Sequence, residues 1–481
     1  MTAVAASVAG PAQVGARHSR KALVGGALGP LLALAIWFAP LGLEPLPQHA
    51  LAVVAFMVVY WVAEPIDHGI TGLAGCFLFW ALGVVNFEVA FSGFADSTPW
   101  FLYGAMLIGE AAARSGVARR IGFLVIRLVG TSYSQLLLSA ILLALILNFL
   151  VPSGTAQIAI LGPILVGIVA AFEVDRLSNI GRGLFVTLTC ACGLFNKMIL
   201  AGAASIFTRG MVERLTGTAI FWTPFFLAFL PATVLTIFAL WFIALRLYPP
   251  EKKEFRGGRE YVQDALQMMG PWTAVEKKTL AWLLLAIGLW STDLIHHINP
   301  AIVALAVGLS LTLPKVGVLT TNEIRQVNLL LIVFTAAALG MGEVLIQTKA
   351  LGVLTDVMMS WITPLLGNPL VSASVLYWTG FGYHFFLASE VSMLSTSLPV
   401  IIHYAQTNGF NPQAFALMWN FASGGKLFVY QSSVLMMGYS FGYFESKDLI
   451  KVGLALALVE GVILALLVSL YWPLIGLLLT Q

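Results

Sequence analysis

The sequence predicts an all-α polytopic membrane protein, with about eleven transmembrane helices and two re-entrant hairpins in an inverted repeat. Three observations carry this. Hydrophobic residues make up 59% of the 481 and charged residues 10%, a balance that a water-facing surface does not hold. The apolar residues fall into successive blocks, many near the length of about 20 residues that a helix needs to span a bilayer. Polar landmarks also recur at one interval. Trp61 of YWVAEPIDHGIT and Trp290 of LWSTDLIHHINP are 290 − 61 = 229 apart, as are Lys197 of CGLFNKMILAGAAS and Lys426 of SGGKLFVYQSS, 426 − 197 = 229.

In chain order, residues 1–21 are small and apolar with a basic end at Arg17, His18, Arg20 and Lys21, and read as a disordered cytoplasmic tail. Block 22–43 exceeds the apolar core of about 7–15 residues in a signal peptide and reads as the first, uncleaved span. Blocks 48–64, 69–87, 98–113 and 121–150 follow. Val151-Pro152-Ser153-Gly154-Thr155 then separates 121–150 from 155–172, and Leu387-Ala388-Ser389-Glu390-Val391 separates 370–388 from 391–405. Each pair reads as two half-helices meeting at a tip, because broken backbone at membrane depth persists only when buried in protein or facing a wet cavity. The remaining blocks are 183–207, 219–247, 279–295, 300–314, 327–346, 353–366, 412–442 and 449–478, and Pro249 to Lys278 is the one long polar stretch between halves.

Three basic clusters fall on one side when spans are counted: the tail; Arg114, Arg119, Arg120 and Arg127; and Lys252, Lys253, Arg256, Arg259, Lys277 and Lys278. The positive-inside rule makes that side cytoplasmic and leaves Gln481 outside. The net charge of +3 is scattered between apolar runs, so no nucleic-acid partner is expected. Cys76, Cys190 and Cys192 have neither disulfide-framework nor zinc spacing and read as small core residues. A buried lysine is costly in a membrane and marks a functional site by default. Two at equivalent places of a repeat point to one central site, and their charge points to an anion.

WVAEPI, SGVARRIGF, Ser153-Gly154-Thr155-Ala156 leading to Pro163, and YQSSVLMMGYSFGYFESKDLIKVG together resemble the divalent anion/sodium symporter family, over about residues 22–478. The resemblance implies a homodimeric elevator transporter. Its scaffold would comprise 22–131 and 279–352, joined by a cytoplasmic linker at 248–278. Its transport domain would comprise 132–247 with the first hairpin and 353–481 with the second. In that family each tip bears Ser-Asn-Thr, which contacts substrate carboxylates while nearby carbonyls bind sodium. Here the tips read Ser153-Gly154-Thr155 and Ser389-Glu390-Val391, and the facing loops end in Ser205 and Ser433. These departures bear on sodium more than on the fold.

A lysine supplies the single positive charge of a sodium ion permanently and adds three hydrogen-bond donors. Half-helix N-termini at the tips would add partial positive charge. The candidate substrate-binding residues are therefore Ser153, Gly154, Thr155, Ser389, Glu390, Asn196, Lys197, Ser205, Lys426, Gln431 and Ser433, with no catalytic or metal-ligating residue and no cofactor. With two fixed cations the empty carrier would be electropositive and reluctant to cross unloaded. The reading is a sodium-independent exchanger of small organic dianions in the bacterial inner membrane, surrounded by lipid. Proton- or sodium-coupled symport of divalent anions stands as the alternative. Glu390 stays open between a salt bridge, a proton acceptor and a substrate contact. Serine beside lysine also meets the residue requirement of a hydrolase, but no GxSxG elbow is present and one catalytic centre needs no duplication, so the chain reads as a carrier and not an enzyme. Glu64 and Asp293 read as helix-end or inter-helix partners, and Glu110 and Glu343 as interhelical partners.

Overall fold

The computed structural model describes residues 20–149, 151, 153–254, 257–387 and 389–480. Residues 1–19, which hold most of the expected tail, lie outside the described residues, as do Leu150, Pro152, Phe255, Arg256, Ala388 and Gln481. In chain order the helices are α1 (Arg20–Phe38), α2 (Pro45–Ala63), α3 (His68–Ala81), α4 (Phe87–Ala90), α5 (Ser97–Arg114), α6 (Val117–Val129), α7 (Tyr133–Asn148), α8 (Gly154–Ala171), α9 (Asn179–Leu194), α10 (Ala203–Thr216) and α11 (Trp222–Leu247). After α12 (Gly258–Met268) in the polar stretch come α13 (Ala274–Ser291), α14 (Asp293–His296), α15 (Pro300–Ser310), α16 (Thr321–Ile324), α17 (Leu329–Gln347) and α18 (Ala350–Met359). The last are α19 (Pro369–Tyr383), α20 (Glu390–Thr407), α21 (Pro412–Ser423), α22 (Ser433–Ser440) and α23 (Ser446–Leu466). Among the described residues six helices are long and apolar enough to cross a membrane: α1, α2, α8, α11, α17, and α23 with its continuation to Ile475.

The chain forms two compact units. One runs to Asp96 and includes Leu329–Leu354; the other takes Ser97–Asn328 and the chain from Thr355 on. In the first unit α1 starts at Arg20, so Arg20 and Lys21 are helical rather than tail, and it stops at Phe38 rather than Leu43. Pro40 follows the end, and the Gln48 amide donates to Ile36 O at 2.7 Å and Ala39 O at 2.8 Å, satisfying carbonyls that a helix end leaves open. Close approach between α17 and the turn after α4 depends on glycine: a Cβ on Gly93 would lie 1.9 Å from Ala336 O.

Trp61 and Trp290 do the same work in their respective units. Each indole N–H donates at 3.1 Å to the first carbonyl of the following helix, His68 O of α3 and Pro300 O of α15. Each of those helices is capped by the side chain just before it, Asp67 accepting from Gly69 N and Asn299 from Ala301 N.

In the second unit the block 121–150, read as one run, splits into α6 and α7. Gly130 adopts φ 123°, a left-handed conformation open to glycine, and Ser132 with Gln135 forms a capping box that starts α7. Asp293 is buried and accepts from Trp222 N and Thr223 N, so it caps α11, the helix-end role expected of it. Glu110 pairs with Arg114 of its own helix α5 rather than with another helix. The linker is fastened down: Glu251 accepts from Asn179 N at the start of α9, and Lys252 Nζ donates to Phe172 O at 2.8 Å.

Arg120 of α6 makes the densest polar contact at the polar end of α13. Its guanidinium grips Glu276 bidentately (Nε–Oε1 2.7 Å, Nη2–Oε2 3.1 Å), donates to Gly270 O at 2.9 Å and stacks on Trp272. Glu276 sits in the first turn of α13, ahead of the apolar run, and these Arg120 hydrogen bonds hold its carboxyl below the usual carboxylate range. Its pKa is lowered on folding, so the contribution is complete above the ordinary carboxylate pKa and disappears as pH falls through the lowered one. Arg120→Ala strands a buried carboxylate and is expected to cost roughly 3–5 kcal/mol. The readout is the melting temperature in detergent at neutral pH, and an unchanged value would show that this contact does not secure α13.

Candidate functional site

The polar centre of the second unit is built where two helices are broken. Ser178 caps α9 by accepting from Gly181 N, and every residue of α9 from Gly183 to Leu194 is buried, as expected of a helix that is apolar all round. A 3₁₀ turn over Phe195–Lys197 then ends it, and α10 resumes only at Ala203. The second half repeats the pattern. Asn411 caps α21 with Pro412 at its first position. Gly424 and Gly425 follow the last helical residue, Ser423, and α22 resumes at Ser433. Lys197 and Lys426 each lie three residues beyond the helix end, 197 − 194 and 426 − 423. The C-terminal end of a helix carries partial negative charge, which favours an ammonium there.

The lysines cross over between halves. Lys426 Nζ donates to Gly193 O of α9 at 3.3 Å. The Lys197 stem runs across Gly424, where a Cβ would lie 2.2 Å from Lys197 Cδ. Each ammonium ends on a carboxylate. Lys197 Nζ donates to Glu460 Oε2 of α23 at 2.8 Å, with side-chain exposures of 0% and 1%. Lys197 also sits over the Phe421 ring, 4.1 Å from its centroid. Lys426 pairs with Glu390, the first residue of α20, and there the exposures are 5% and 12%. The expectation of an electropositive empty site is thereby corrected: two carboxylates neutralise two ammonium groups, and Glu460 was absent from the candidates. Its signal was available, since a lone acid inside LALALVEGVILALL breaks the same rule as a buried lysine.

The other candidates divide by what they touch. At the first tip Ser153 caps α8, accepting from Ala156 N at 3.3 Å. Gly154 permits contact with the end of α9, a Cβ there lying 2.5 Å from Cys192 O. Thr155 Oγ1 meets Ser433 Oγ of α22 at 3.3 Å, joining the first tip to the second broken helix. Ser389 precedes α20 without a side-chain cap bond. Helices α8 and α20 match: both have 18 residues, with Pro163 and Pro399 each nine residues past the start. The structure does not bring Gln431, Asn196 or Ser205 to the ion pairs. Gln431 Oε1 accepts from Leu427 N and Phe428 N, both at 2.7 Å, bracing its own loop. Asn196 Nδ2 donates to Cys192 O at 3.3 Å, and Ser205 Oγ to Asn196 O at 2.6 Å. Asn420, a further buried amide, donates to Lys197 O at 2.9 Å and so holds the first unwound segment against α21.

Broken helices meeting at charged groups inside an otherwise apolar bundle define a multi-pass membrane transporter. The chain belongs to the family described as the sodium:sulfate symporter transmembrane region, which matches residues 27–478, as the motif resemblance indicated. It is 27% identical over 464 residues to a membrane protein of Cupriavidus necator, covering 91% of this chain and 89% of that protein. It is 24% identical over 483 residues to the citrate/succinate antiporter of Escherichia coli strain K12, covering 93% and 97%. Its fold is similar to that of the YdaH transporter of Alcanivorax borkumensis, with a TM-score of 0.56, 15% identity and coverage of 95% and 100%.

Removing one partner of the sealed pair leaves an uncompensated buried charge. Lys197→Met or Glu460→Leu alone is expected to lower stability by roughly 3–5 kcal/mol, and the double change by much less. Melting temperatures of the three variants test this, and additive losses would mean that the two groups are not energetically coupled.

Proposed function

We propose that the protein exchanges small organic dianions of the dicarboxylate type across a bacterial inner membrane, without sodium. The observation that carries the reading is the Lys426–Glu390 contact at the start of α20. It holds a carboxylate on an ammonium at a helix N-terminus, the chemistry a dicarboxylate end requires. Glu390 is the more exposed acid and occupies that place in the empty site, where a substrate carboxylate would displace it. Thr155, Ser433 and Ser389 lie at the neighbouring helix starts and offer hydroxyl donors for the other end. Lys426 fills the role of a fixed cation, which removes the need for a sodium ion. Exchange is supported by the antiporter among the relatives. The movement is an elevator stroke of 132–247 and 353–481 against a dimeric scaffold of 22–131 and 279–352, over about eleven crossings with two re-entrant hairpins. The positive-inside distribution puts the N-terminus in the cytoplasm and the C-terminus in the periplasm.

Uptake of labelled succinate into proteoliposomes is expected to need dicarboxylate preloaded inside and to ignore sodium outside. Lys426→Gln removes a charge-assisted hydrogen bond and is expected to weaken succinate binding by roughly tenfold to a hundredfold, from about 1.5–3 kcal/mol. Sodium-driven uptake into empty vesicles, or binding unaffected by Lys426→Gln, would refute the reading.

A further inference from the structure

Substrate binding at Lys426 leaves Glu460 without a task. Glu460 lies mid-way along α23 and spends Oε2 on Lys197, while Oε1 is buried with no hydrogen-bond partner. It lines a cavity of about 20 Å³ together with Lys426, Cys190, Gly193 and Gly424. Such a volume holds about one water. An ionised carboxylate oxygen lacking a donor in this setting is costly, whereas the protonated form needs only an acceptor in the cavity.

Charge balance points the same way. In the empty site Lys197, Lys426, Glu390 and Glu460 sum to zero. A bound dianion takes the sum to minus two in surroundings that penalise net charge. Glu390, at the rim, keeps some contact with solvent, but Glu460 is enclosed, so a proton is what relieves its charge.

The ionisable groups around Glu460 are few. Lys197 and Lys426 face it from the two unwound segments, with Glu390 beyond Lys426. From α9 it meets Cys190, with Cys192 one turn-step on; Arg182 of the same helix sits at the far end, beside Glu445 and Asp448. From α19, Tyr377 is committed to Ala457 O at 2.9 Å and Tyr383 to Thr396 at 2.9 Å, and the fully buried His384 just past the helix end lies near Lys426 and Lys197. Arg246, the ionisable residue of α11, is exposed. Tyr471 in the turn after α23 bonds Leu227 O.

We propose that Glu460 is a proton-binding site of the transport cycle, loaded from solution at Oε1 when a dianion binds at Lys426 and unloaded when the dianion leaves. This rests on the dicarboxylate reading above. One O–H bond forms, the proton coming from the aqueous phase through the space vacated by Glu390. The new hydroxyl donates into the cavity, and Lys197 keeps its proton and adds its charge to that of Lys426. The loaded site then carries minus one rather than minus two.

The test uses purified protein and succinate between pH 7 and 8.5, where succinate stays doubly ionised. A pH-indicator dye in weakly buffered solution should report proton uptake of up to one per succinate bound, and Kd should rise by up to about tenfold per pH unit. Glu460→Gln should bind succinate with no proton uptake and a Kd independent of pH. Infrared difference spectra of the unaltered protein should gain a protonated-carboxyl band on adding succinate, a readout that needs no variant. Succinate binding without proton uptake overturns the proton site and leaves the dicarboxylate reading intact. Uptake persisting in Glu460→Gln also overturns it, and failure of succinate and other dicarboxylates to bind at all removes both.

Discussion

An ammonium group enclosed by apolar helices has to meet a counter-charge, and much of the second unit is arranged around that requirement at two points. Lys197 is sealed from water and reaches across to Glu460 in the opposite half, while Lys426, slightly exposed, reaches across to Gly193 O and pairs with Glu390 of its own half. That crossing dictates glycine at Gly424, where a side chain would collide with the Lys197 stem, and an open carbonyl at Gly193 O.

The two pairs are chemically alike but physically different. Lys197 with Glu460 is shut off from solvent and capped on one side by the Phe421 ring. Lys426 with Glu390 retains some exposure and lies at the N-terminus of α20. A charge–charge contact strengthens as the surroundings become drier, so the sealed pair is the stronger contact and the rim pair the weaker one. Thr155 and Ser433 link the first tip to α22 beside this rim.

The fold class was legible because it depends on quantities that sequence displays directly: apolar block length, a repeat interval and the cost of buried lysine. The helix breaks at the tips were legible for the same reason. What escaped depends on which atoms face each other. Glu460 has no echo in the first half, since 460 − 229 is Pro231, so the repeat interval does not single it out. Gln431 reads as a free amide in sequence but is consumed by two backbone N–H groups of its own loop. The break between α6 and α7 turns on a single positive φ at Gly130, which hydrophobic composition does not register.

The repeat itself is unequal in a way that bears on function. The cations are duplicated, but the acids are not: at the interval of 236 that pairs Pro399 with Pro163, Glu390 corresponds to Gly154, and at the lysine interval of 229 Glu460 corresponds to Pro231. Both counter-charges thus come from the second half, one at its tip and one on its last long helix. A duplicated scaffold alone would offer a dianion two equivalent ends. With the acids confined to one half, the first tip presents backbone, Thr155 and a close-packed glycine, while the second presents the Glu390 carboxylate. The two ends of a bound dianion would meet different resistance, and the asymmetry lies in the half that holds both counter-ions rather than in the shared architecture.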